Sequence, residues 1–174
     1  MPSKEIDSTK TKSAATVQPA LPRVAERELV LTRIFNAPRE KVYRAWTDPE
    51  LLKQWFAPKP YTIPVAQLDV RAGGSNLIVM RDPQGNDFPN RGVYLEVVPN
   101  EKLVFTDAYT KAWEPSLKPF MTVIVTFENI AGKTKYTARA RHWTVADRDM
   151  HEKMGFETGW NLCADQLQAL LKTI

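Results

Sequence analysis

The last two dozen residues constrain the fold of this chain most. From His151 to Ile174, the residues Phe156, Trp160, Cys163, Leu167, Leu170 and Ile174 recur at steps of four and three. That spacing gathers them on one face of a helix. A stripe this broad needs a large concave apolar partner. Gly155 and Gly159 stand at its head, and each costs about 1 kcal/mol relative to alanine inside a helix. Either something packs close to these glycines or the helix is broken there.

The remaining chain supplies that partner as strands. Leu29 to Phe35 is β-branched and aromatic and reads as a first strand. Pro38 then opens a short helix whose apolar face is Val42, Ala45 and Trp46. Asp48-Pro49 caps a second, with Leu51, Leu52, Trp55 and Phe56, which Pro58 and Pro60 stop. Six strands follow: Thr62–Arg71, Asn76–Arg81, Arg91–Val98, Leu103–Tyr109, Phe120–Glu128 and Lys133–Trp143. Pro64 marks the first of these as an edge strand or a late start. Residues 110–119 read as a long loop. Short strands joined by tight turns predict an antiparallel sheet, with the one long helix covering a face. Residues 1–25, rich in Ser, Thr, Lys, Ala and Pro, read as a disordered arm, and 26–174 as one domain.

Composition narrows the function. A charged content of 25% is ordinary for a soluble protein, and no apolar run reaches the roughly 18–20 residues of a membrane span. With no apolar leader at Met1–Ile6, a cytoplasmic location is expected. The net charge of +4 is not gathered into a patch, because Lys133, Lys135, Arg139 and Arg141 alternate with Tyr136, Ala138, Ala140 and His142. That is a solvated outer strand face, not a nucleic-acid groove. The lone cysteine, Cys163, lies on the helix stripe and reads as a small apolar residue. Gly73-Gly74 is a β-turn and not a phosphate loop, since neither a helix nor Gly-Lys-Ser/Thr follows. No Gly-x-Ser-x-Gly element is present. His142 and His151 lack further ligands at a recognised metal spacing, so no metal or cofactor is expected; Asp147 or Asp149 is the expected cap of the helix start.

Strand parity proposes a site. Tyr94 and Glu96 alternate onto one face, Asp107 shares a face with Leu103, Phe105 and Tyr109, and His142 follows Ala138 and Ala140. If these faces meet the helix, Glu96, Asp107 and His142 converge in an apolar setting. Burial there raises a carboxyl pKa and lets a neighbouring histidine titrate near neutrality. Asp107 and His142 are therefore the candidates for acid–base chemistry of the cyclisation or dehydration kind. The competing reading pairs the carboxylates with cations or leaves them at the sheet edge. Trp55, Phe105, Phe156 and Trp160 supply apolar lining, and Trp113, in the long loop, reads as a lid residue.

Four segments carry a family resemblance: Arg33–Pro38 with Trp46-Thr-Asp-Pro49, Leu52–Phe56 before Pro58, Asp69–Gly74, and His142 with His151–Trp160. Over residues 27–172 the chain resembles the START-like, or SRPBCC, superfamily. Within it, the chain is similar to the activators of heat-shock-protein ATPase. The resemblance implies an α+β helix-grip fold: a curved antiparallel sheet wrapped around a long C-terminal helix, with two short helices after the first strand. It implies a small hydrophobic or aromatic ligand between sheet and helix. Trp55, Phe105, Trp113, Phe156 and Trp160 would line that site, and Tyr94, Glu96, Asp107 and His142 would orient the ligand's polar end. Two other functions follow from the same resemblance, a chaperone co-activator and a polyketide cyclase-like enzyme. Homodimerisation through an edge strand or the outer sheet face stays open.

Overall fold

A computed structural model describes residues 23–174; all but the last three residues of the expected N-terminal arm lie outside them. A 3-10 turn at Val24–Arg27 leads into the first strand. Strand β1 (Glu28–Phe35) follows, then helices α1 (Arg39–Thr47) and α2 (Pro49–Leu52). Asp48 caps α2 through its carboxylate, which accepts from Glu50 N at 3.0 Å and Leu51 N at 3.4 Å. The main strands are β2 (Thr62–Leu68), β3 (Ser75–Arg81), β4 (Asp87–Val98), β5 (Lys102–Thr106), β8 (Met121–Ile130) and β9 (Lys133–His142). Between β5 and β8 a small hairpin forms, β6 (Tyr109–Lys111) with β7 (Glu114–Pro115), where the sequence suggests only a loop. Helices α3 (Val145–Lys153) and α4 (Phe156–Leu170) end the chain.

Seven strands form one antiparallel sheet in the order β1-β9-β8-β5-β4-β3-β2. Pro64 sits in the edge strand β2, where its missing N–H costs no ladder bond. Strand β4 begins at Asp87, earlier than the expected Arg91, and includes Pro89. Its first half pairs with β3 alone, since pairing to β5 starts at Val93. The proline's bare nitrogen can then face the open side.

One sheet face carries the core. Leu29, Leu31, Val123, Val125, Ala138 and Ala140 from the strands bury against Phe156, Ala164, Leu167 and Leu170 of α4. Trp160, Cys163 and Ile174 pack beside them, so the stripe is buried as its spacing predicts. The helix breaks at Gly155, whose φ of +96° favours glycine. Nothing lies within 4 Å of where a Gly159 Cβ would stand, so close approach is not the reason for that glycine. Thr144, rather than Asp147 or Asp149, caps α3 by accepting from Asp147 N at 3.1 Å. The smaller cluster of Leu52, Ala57, Ile63, Ala66 and Ile78 seats the short helices on β2 and β3.

Candidate functional site

Two groups of side chains stand on the helix-facing side of the sheet. The first is aromatic. Trp46 of α1 lies 5.0 Å from Trp55, 5.7 Å from Phe56, 6.0 Å from Phe105 and 6.4 Å from Tyr136, centroid to centroid. Tyr94 meets Phe105 at 5.9 Å. The α1–α2 corner is tied by Trp55 Nε1, which donates to Ala45 O at 3.0 Å. Trp46 Nε1 is buried, with the Tyr136 hydroxyl as the acceptor beside it. Desolvation raises the pKa of the Tyr94 and Tyr136 hydroxyls well above the usual phenol range. Both stay neutral donors.

The second group closes one end of the same face. β5, β8 and β9 run in register, so that Phe105, Val123 and Ala140 form one inward row. The next row brings Met121 opposite His142, with Asp107 beyond Phe105. His142, 1% exposed, lies within 2.9 Å (Nε2) of His151 Nδ1 on α3. Its Nδ1 donates to Arg27 O at 3.1 Å, and Arg27 Nη1 donates back to His142 O at 2.8 Å. Phe120 lies 5.3 Å from His142 and 5.1 Å from His151; Phe156 and Trp160 lie 5.1 and 6.2 Å from His151. The Asp107 carboxylate accepts from Phe120 N at 2.8 Å and Met121 N at 3.0 Å, which fixes the start of β8. Burial raises its pKa, partly offset by those bonds and by His142.

Asp107, His142, Tyr94 and Phe105 stand on the helix-facing side, as strand parity predicts, and Trp55, Phe156 and Trp160 come to the same core from the helical segments. Parity misplaces Glu96. The register with β5 slips between Tyr94 and Glu96, so Glu96 pairs with Val104 and turns outward. There it is exposed and bonded to Lys102 Nζ at 2.8 Å. Trp113 is likewise not over the helix-facing side. It is 62% exposed at the tip of the β6–β7 hairpin, packed on Tyr109 at 5.5 Å. That hairpin walls an open groove of about 660 Å³ floored by Gln67, Ser75, Leu77 and Arg91, whose strand positions face away from α4. Strand parity does not single out Trp46 or Tyr136, which the fold brings into the aromatic group. His151 is nine residues from His142, across a strand-to-helix turn.

Arg139 and Arg141 sit on the outer face, both ion-paired to Glu28. Cys163 is half-buried; its thiol donates to Phe56 O at 3.3 Å, and burial pushes its pKa up to about 12. It is no nucleophile at neutral pH. Among the described residues, no three His, Cys, Asp or Glu side chains gather to hold a metal ion, and no helix is long and apolar enough to cross a membrane.

The His151 environment has a consequence for stability. Desolvation, with His142 adding to it, pushes its pKa from 6.5 down to about 4. The unfolded chain then binds more protons than the folded one between these values, so stability falls as pH drops from about 6.5 to 4. Allowing for residual contact with water, the loss is on the order of 2 kcal/mol. Asp107 acts in the opposite sense, since folding raises its proton affinity. Urea unfolding at pH 7.5 and 4.5 should show the acid loss in the natural chain and a smaller one in His151→Phe. Equal losses in both would place the sensitivity elsewhere.

A sheet gripping a C-terminal helix, with aromatic and polar side chains enclosed between them, defines a helix-grip protein of the START-like class. The chain belongs to the family described as "Activator of Hsp90 ATPase homolog 1-like protein", whose profile matches residues 36–172. It is similar to a crystal structure of a protein from Nitrosomonas europaea at 43% identity and a TM-score of 0.83, covering 86% of this chain and 96% of that one. A solution structure from Staphylococcus epidermidis is similar at 28% identity and a TM-score of 0.72, covering 91% and 94%. A comparison with curated proteins yields no match.

Proposed function

We propose that this protein binds a small aromatic or hydrophobic ligand between the sheet and α4. The observation that carries the reading is the ring cluster around Trp46, assembled from α1, the α2 exit, β4, β5 and β9. The apolar body of a ligand would meet these rings. Membership of a fold that commonly accepts hydrophobic ligands supports the same reading.

His151 favours binding over cyclase-like catalysis, because a ring with its pKa near 4 is a weak proton acceptor. Native mass spectrometry of freshly purified protein, followed by tryptophan-fluorescence titration with a panel of aromatic compounds, tests the proposal. We expect a co-purifying mass or saturable quenching, and an affinity changed about tenfold in Phe105→Ala, as loss of one buried ring contact implies. No bound mass and no quenching across the panel would overturn it.

A second reading, a chaperone co-activator surface, has one observation in its favour: Met150 and Met154 are exposed beside Ala146 along α3. It predicts faster ATP turnover by the chaperone. An unchanged rate at saturating protein would remove it.

A further inference from the structure

The outer face of the sheet carries a groove that interior binding leaves without a role. Gln67 of β2, Leu77 of β3 and Arg91 of β4 stand side by side in one cross-strand row, and Ser75 lies in the next row opposite Val93. Val93 shares this outward parity, yet it is fully buried and belongs to neither core cluster; its partner Thr106 is buried too. The β6–β7 hairpin, whose first strand packs on β4 and β3, covers them. Beyond the hairpin's edge the first row stays open, and Thr110 and Lys111 of β6 form the facing wall. At about 660 Å³ the groove has the size of a small-molecule site.

Its charges are unequal. Asp69 at the rim is held by Arg71, through Nε at 3.1 Å and Nη2 at 2.8 Å. Among the described residues, every arginine from Arg27 to Arg148 reaches a carboxylate or carbonyl oxygen except Arg91. Lys111 has no such acceptor either. A guanidinium fork left open on the floor of a groove, with an ammonium group on its wall, matches an oxyanion. The fork takes two oxygens side by side, and the ammonium adds a point charge. Ser75 and Thr110 add hydroxyls, and Leu77 adds apolar surface. The hairpin that brings Lys111 keeps a costly backbone, with φ of 21° at Ala112 and 66° at Trp113. Strain of this kind gathers where a structure holds a ligand.

We propose that the outer groove binds a small organic anion, its carboxylate or phosphate taken by Arg91 and Lys111 and its apolar part resting on Leu77. This site is separate from the interior one, because the strand positions that floor it face away from α4.

Proton–nitrogen-15 NMR titration of the full chain with phenyl phosphate, benzoate and the uncharged benzyl alcohol tests this. At least one anion should give saturable shifts at the amides of Ser75, Arg91 and Lys111 and bind about tenfold tighter than the alcohol. The tighter anion names the oxyanion. Arg91→Gln and Lys111→Gln should each weaken it about tenfold. Both side chains are exposed, so neither change disturbs the fold. Lys118→Gln, at an exposed lysine outside the groove, should leave the affinity unchanged. No shift from either anion, equal binding of the alcohol, or an equal loss in Lys118→Gln overturns the proposal. Shifts confined to the Trp46 and Trp55 indoles overturn it too, and leave interior binding standing.

Discussion

Replacing Leu167 by alanine is expected to destabilise the protein by about 3–4 kcal/mol, within the range measured for buried leucines. Leu167 is fully buried near the C-terminal end of α4, amid the strands' alanines and valines. Polar contacts cannot substitute for it. The best of them is Arg33 on β1, which donates to Asn161 and pairs with Asp165 of α4. Asp165 is largely exposed, and such pairs contribute about 0–1 kcal/mol. Asp165→Ala should therefore cost under about 1 kcal/mol, while Leu167→Ala shifts the urea midpoint strongly with an unchanged slope. A Leu167→Ala cost below about 1 kcal/mol would mean that the helix is not held by its stripe. The same variant should weaken any interior ligand, because α4 carries Phe156 and Trp160.

Gly74→Ala should be at least as damaging, at about 3 kcal/mol or more. A Cβ at Gly74 would stand 1.9 Å from the Asp69 carbonyl oxygen, a backbone atom that cannot swing aside. The turn is also tied to β4 on both sides of Tyr94. Gly73 N donates to Tyr94 O and Tyr94 N donates to Gly74 O, each at 2.8 Å. Opening the turn loosens the backbone that holds Tyr94 against Phe105. Gly85→Ala is the control: its φ of +90° makes it mildly strained, but nothing lies within 4 Å of the new methyl. We expect Gly85→Ala to cost about 1 kcal/mol. Equal unfolding midpoints for the two variants would remove the clash as the cause.

The site was legible wherever the strands are regular. Asp107 and His142 were placed on the helix-facing side because alternation runs unbroken from Leu103 and from Tyr136. Glu96 was misplaced because one extra residue in β4 reverses every side chain beyond it. Trp113 was read as a lid because a ten-residue stretch with two prolines gives no sign of the β6–β7 hairpin. Here Ala112 and Trp113 take positive φ, at 21° and 66°, which ordinary turn chemistry does not signal.

The α+β class, the order of the six long strands after two short helices, and the buried stripe of α4 are written in local pattern. Those follow from periodicity and backbone preference, which act over a few neighbouring residues. Only the tertiary structure decided which polar residues share a site. His142 reaches His151 through the direction α3 takes after β9, and Arg27 meets His142 across 115 positions of chain. Such contacts depend on how twisted strands and a broken helix pack in space, and no local pattern in the chain encodes that distance.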